Sequence, residues 1–113
     1  MAATGCWAVP SNAAWERLGA PPLPARLRLV RGPGETSGGT VEAAGGGAAW
    51  QRGTWAAAGD TIRITLPAGA GGEAALRLGR AARGWRGPAG WTAPGRGARE
   101  VPLSIVPDRC PEP

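Results

Sequence analysis

The sequence predicts an all-β fold, a small antiparallel up-and-down barrel of about seven to eight strands, and three observations carry that expectation. Short segments alternate apolar and polar residues, most clearly Thr61-Ile62-Arg63-Ile64-Thr65-Leu66, where Ile62, Ile64 and Leu66 share one face of a strand. Connections rich in Gly and Pro separate such segments at near-regular spacing, and no helical stretch exceeds one turn. Cys6 and Cys110 stand near opposite ends, and a disulfide between them would join the first and last strands, favouring a closed barrel over a sandwich.

The chain has 113 residues, enough for one domain, expected over residues 5–110 with tails at 1–4 and 111–113. With 20 Gly, 12 Pro and no Phe or Tyr, the composition approaches that of disordered chains. Six tryptophans restore core material, because each buries roughly 150–250 Å². All 13 basic residues are arginine, the mark of a GC-rich coding bias, and the net charge of +5 bears on solubility and encounter with anionic surfaces rather than on fold. No apolar run reaches the roughly 20 residues of a membrane span. Met1-Ala2-Ala3-Thr4 lacks the apolar region of a signal peptide, so an exported chain is expected to be numbered from a trimmed start. In a periplasmic or secreted chain the cysteines pair and close nearly the whole chain into a loop, worth roughly 4 to 5 kcal/mol by chain entropy. In a reducing compartment they remain two separate thiols.

Taken in order, 5–9 reads as the first strand, with Trp7 and Val9 on one face and Cys6 on the other. Ser11-Asn12 caps one helical turn through Leu18, which Gly19 stops. The stiff Pro21-Pro22-Leu23-Pro24 leads into a second strand, 25–31, with Ala25, Leu27 and Leu29 inward. A long turn at 32–39 precedes a weak third strand at 40–44. The fourth spans 48–55, where a bulge at Gly53 would bring Trp50 and Trp55 to one face. After the fifth, centred on Ile64, a loop at 68–72 and a sixth strand at 73–78 follow, with Leu76 and Leu78 inward and Arg77 outward. Gly79-Arg80 reads as a turn, 81–87 as a glycine-weakened seventh strand, and 88–97 as loop with a short extended piece at Trp91. The last strand, 99–106, turns Val101, Leu103 and Ile105 inward and requires Pro102 to sit where no ladder donor is needed.

Gly5-Cys6-Trp7 resembles the Gly-x-Trp that opens the first strand of lipocalins and is similar to the start of avidins, eight-stranded barrels that mostly bind small molecules in the barrel mouth. That resemblance implies that Trp7 packs across the closed end under a late arginine, Arg99 or Arg109. In size, strand count and its Gly-x-Trp-like start the chain also resembles the bacterial inhibitors of secreted metalloproteases, which implies a tail, here Met1-Ala2-Ala3-Thr4, that enters a protease cleft. Ala3-Thr4-Gly5-Cys6 resembles the end of a lipobox, which would make Cys6 a lipid anchor and leave Cys110 unpaired.

Enzymatic chemistry finds little to work with, and no cofactor or metal is expected. Histidine is absent, and with it the commonest general base and metal ligand. Asp60 and Glu73 flank one hairpin and read as a turn residue and a strand start rather than as a catalytic pair. Two distant cysteines make no metal signature, and the glycines at 45–47 and 69–72 lead into no helix that could cradle a phosphate. Arg77, Arg80, Arg83, Arg86, Arg96 and Arg99, interleaved with Trp85 and Trp91, combine cations with stacking platforms, the ingredients of nucleic-acid or polyanion binding. The preferred reading of that stretch is a solvated strand face, which makes nucleic acid the weaker alternative. Trp7, Trp50, Trp55 and Trp85 are expected in the core, and Trp15 and Trp91, placed in connections, at the rim of a barrel mouth. The function expected is that of a non-enzymatic, exported, monomeric barrel that binds a small hydrophobic molecule or a protein partner. A tightly filled barrel would shift the weight to its surface, toward an inhibitor or interaction role.

Overall fold

Eight antiparallel strands follow one another around a closed barrel in sequence order, β8 returning to β1. The computed structural model describes residues 3–34, 37–45, 50–69, 71–95 and 97–110. The strands are β1 (Gly5–Ala8), β2 (Arg26–Arg31), β3 (Gly38–Ala44), β4 (Gly53–Ala58), β5 (Thr61–Pro67), β6 (Glu73–Ala81), β7 (Gly84–Thr92) and β8 (Arg99–Asp108); one helical turn, α1 (Ala13–Glu16), lies between β1 and β2. Asn12 caps α1 as expected, its side chain accepting from the Trp15 amide, and Gly19 turns the chain away with φ +76°.

The alternation read in the sequence sets the wall. Ile62, Ile64 and Leu66 point inward, in register with Leu78, Leu76 and Ala74 of β6. Leu27, Leu29, Val41, Leu103, Ile105, Trp7, Trp55 and Trp85 complete an interior that side chains fill, every one of them at most 5% exposed. Eight strands leave a lumen only just wide enough for such side chains.

The boundaries differ from expectation where glycine was read as punctuation. β6 continues through Gly79 and Arg80 to Ala81, the turn lies at 82–83, and β7 runs on through Pro88 and Gly90 to Thr92. Gly79 stands in register with Thr61 on one side and Arg86 on the other, so it is ladder and not turn. A Cβ on Gly87 would run into the Arg77 carbonyl oxygen, and one on Gly53 into that of Thr65. These glycines let neighbouring backbones close up in a narrow, strongly coiled wall. β3 likewise begins at Gly38, inside the expected turn. Trp50 precedes β4 and makes only an isolated bridge to Ala68, and Ala25, expected inward, is exposed just ahead of β2.

Closure rests on a short seam. β1 meets β8 only through Cys6↔Asp108, Trp7↔Pro107 and Ala8↔Val106. Cys6 and Cys110 form a disulfide across it, which removes the lipid-anchor reading of Cys6. Arg26 Nε donates to Asp108 Oδ2 at 2.8 Å, and beyond the ladder Asn12 Nδ2 donates to the Pro102 carbonyl at 2.8 Å. Pro102 itself stands opposite Pro88.

Replacing both cysteines (C6S/C110S) is expected to lower the unfolding free energy by about 2–5 kcal/mol in urea titration. The Arg26 hydrogen bond first, and then the Arg109 backbone N–H, hold the Asp108 carboxyl below its ordinary 3.8. A depressed carboxylate contributes stability above its unfolded value and loses it as pH falls through the folded one. The gap in melting temperature between the wild type and Asp108→Asn is therefore expected to be present at pH 6 and to narrow below about pH 4.

Candidate functional site at the loop end

The barrel's two ends are unlike. One carries the connections from β2 to β3, β4 to β5 and β6 to β7 together with Ala3 and Cys110; the other carries the remaining connections, including α1. At this loop end three tryptophans converge. Trp15, projected from α1, is 1% exposed and donates through Nε1 to the Pro21 carbonyl at 3.0 Å. Trp50 donates to the Pro22 carbonyl at 2.7 Å, so the extended proline run anchors two indoles. Trp91, next to last in β7, stands opposite Ala74 on one side and Arg99 on the other. The ring centroids lie 6.3 Å (Trp15–Trp50), 6.4 Å (Trp15–Trp91) and 5.8 Å (Trp50–Trp91) apart, the last two pairs edge to face. Such contacts add about 0.5–1.5 kcal/mol each beyond the area buried.

The sequence paired Trp15 with Trp91 at a rim, and they do meet. Trp15, however, is buried beneath the cluster, and the half-buried members are Trp91 and Trp50, the latter expected in a core strand. The missed signal is the proline run, whose fixed carbonyls offer acceptors to two indole N–H groups. Gly72 leaves the space that the Trp91 ring occupies. Beside Trp91 lies a groove of about 490 Å³ lined by Leu18, Trp91, Gly97, Ala98 and Arg99. Arg99 forms no ion pair or hydrogen bond among the described residues.

The hairpin end is sealed. Trp7 and Trp85 pack edge to face at 6.5 Å, and Trp7 Nε1 donates to the Ala3 carbonyl at 2.8 Å. The guanidinium over this pair is that of Arg80, 5.7 Å from the Trp85 ring centroid and 3.9 Å from Asp60 Oδ1. Arg99, one of the two arginines the resemblance assigned here, lies at the opposite end. Arg109 gives its backbone N–H to Asp108. The register explains the exchange: Arg80 stands directly across from Trp85. Ala3 is buried in the core, so the expected tail is already part of the fold at residue 3; residues 1–2 and 111–113 lie outside the described ones.

Of the expected arginine and tryptophan partners, Arg80 meets Trp85 and Arg99 stands beside Trp91, while alternation separates the rest. Arg77 and Arg86 face outward, Arg83 is exposed in the 82–83 turn, and Arg96 lies outside the described residues. Trp85 is buried in the lumen and Trp91 joins the loop-end cluster, so neither offers a stacking platform beside those guanidinium groups. Asp60 and Glu73 open β5's hairpin end and β6's loop end, a barrel length apart. Among the described residues no three His, Cys, Asp or Glu side chains gather as a metal site, and no helix is long and apolar enough to cross a membrane.

Gly72→Ala is expected to displace the Trp91 ring and weaken the near-ultraviolet circular dichroism of the indole cluster, whereas Gly97→Ala, whose Cβ meets open space, leaves that signal unchanged. Comparisons of the chain with protein-family models, with curated proteins and with solved structures returned no match.

Proposed function

We propose that this chain is a non-enzymatic, extracytoplasmic barrel that binds a polypeptide partner at its loop end. The observation that carries this reading is a division of labour: the lumen is filled with side chains, while half-buried Trp91 and Arg99, which has no ion pair among the described residues, line an open groove. The lipocalin and avidin likeness would put a small molecule inside the barrel, but Leu66, Trp55, Leu76 and Leu103 already occupy that space. The interaction role that a filled barrel favours moves to the surface. The disulfide is compatible with an oxidising compartment.

The groove's chemistry selects a partner segment with a bulky apolar side chain beside a carboxylate. Leu18 and Trp91 receive the first, and Arg99 pairs with the second through its fork of donors. Trp15 and Trp50 brace Trp91 from behind, so the anchor is held before binding, which lowers the ordering cost of association. The protease-inhibitor alternative relies on the amino-terminal tail, whereas Ala3 is tied down at the opposite end from this groove.

Selection of a random peptide library on the immobilised protein tests the reading. Enriched peptides are expected to carry an aromatic or large aliphatic residue next to Asp or Glu, and to lose at least tenfold in affinity, about 1.4 kcal/mol, on a Trp91→Ala/Arg99→Ala variant. Enrichment that the double variant retains would refute it, as would stoichiometric binding of a fluorescent fatty acid that the double variant leaves intact.

A further inference from the structure

We infer that the outer wall of β4–β7 is a second binding site, for an acidic polysaccharide whose carboxylate or sulfate groups rest on Arg63, Arg77 and Arg86. Arg63 of β5 and Arg77 of β6 stand directly opposite each other in the ladder. Arg86 of β7 faces Gly79, two residues along β6 from Arg77, and so lies one diagonal step away. By ladder geometry the Cβ atoms of the first pair are about 5 Å apart and those of the diagonal pair about 7–8 Å. Like charges directly opposite destabilise a sheet. Elsewhere the wall avoids this: Arg28 faces Glu42, Arg26 pairs with Asp108 at 2.8 Å, and Arg52 reaches Glu42 at 3.6 Å. On the β5–β7 face only Arg77 has a carboxylate, the exposed Glu100 at 3.2 Å, while Arg63 and Arg86 have none among the described residues. An anion from outside supplies what this row of guanidinium groups lacks.

The neighbourhood favours a sugar polymer over other polyanions. Ala56 faces Arg63, and Ala75, Gly79 and Gly87 surround Arg77 and Arg86, so the guanidinium groups stand clear of bulk. Next to Arg63 the surface opens into a groove of about 690 Å³, lined in part by Ser37, Gly38, Thr54 and Thr65. Thr54 and Thr65 face each other across the β4–β5 ladder. Their hydroxyls donate and accept, as sugar hydroxyls require. No aromatic ring stands on this face, since the tryptophan at the groove, Trp55, is 5% exposed and bonds inward to the Val30 carbonyl. Base stacking, which single-stranded nucleic acid relies on, is therefore not offered. Strands about 4.8 Å apart give a band some 14 Å across from β4 to β7, the length of a short oligosaccharide.

Titration with heparin at low salt tests the site, with dextran, oligo-dT and phosphatidylserine vesicles as the other arms and circular dichroism to confirm folding. The wild type is expected to bind heparin in preference to all three, with affinity falling steeply with salt. Neutralising the band (R63Q/R77Q/R86Q) is expected to weaken binding about tenfold or more, and a charge-matched change away from it (R17Q/R28Q/R109Q) about twofold. Thr54→Val/Thr65→Val should cost a few-fold while leaving the salt slope unchanged. Equal losses in the two triple variants would mean that net charge alone acts and would overturn the proposal. Tighter binding to oligo-dT or to vesicles would overturn it as well, as would no binding of heparin.

Discussion

The contact on which the barrel depends is the one between its first and last strands. Every other ladder runs through at least four register pairs, whereas β1 and β8 share three, one of them with a proline that donates nothing. An antiparallel sheet left open there would present two edges. Three devices hold the seam instead: the Cys6–Cys110 bond, the Arg26–Asp108 pair on its outer side, and Asn12, which reaches from the cap of α1 to the Pro102 carbonyl where the ladder has run out. Asn12 therefore has two tasks. Its carbonyl oxygen starts the helix that carries Trp15, and its amide covers part of the uncovered edge of β8.

Closure dictates where the aromatic mass can go. Leucine, isoleucine and valine fill the middle of the lumen, where two facing walls leave room for one layer of branched side chains. Apart from Trp55, which faces Ile64 inside the lumen, the indoles gather toward the ends. Trp7 and Trp85 with Arg80 seal the hairpin end, and Trp15, Trp50 and Trp91 build the loop end. The plugs differ in how their N–H groups are met. At the loop end backbone carbonyls of the proline run receive two of them, whereas Trp85 Nε1 is buried without a hydrogen-bond partner, the one such side-chain atom among the described residues. The loop-end plug packs closely against Gly72, which leaves the space that the Trp91 ring fills.

Much of this was legible. Alternation at Ile62, Ile64 and Leu66, at Leu76 and Leu78, and at Leu103 and Ile105 identified the inner face, and the separated cysteines identified closure. What escaped is what period-2 patterning cannot carry. Gly79 read as turn and Gly90 as loop because glycine is the commonest turn residue, and Gly84 and Gly87 as weak points of a poor strand, yet at Gly84 and Gly87 the demand for close backbone approach outweighs poor strand propensity. Arg80 was hidden for the same reason: with a turn placed at Gly79-Arg80, its register with Trp85 could not be seen. The meeting of Trp50 with Trp15 and Trp91, and of Arg63 with Arg77, depends on loop paths and hairpin register, which a linear pattern does not encode.

The placement of Ala3 and Cys110 has an orientational consequence. Both emerge at the hairpin end, bound to β1 by an indole hydrogen bond and a covalent bridge, and the tryptophan groove opens at the other extremity. A tether, tag or solid support joined at either position holds the molecule like a post set in the ground, with the groove at its free top and the arginine band along its side.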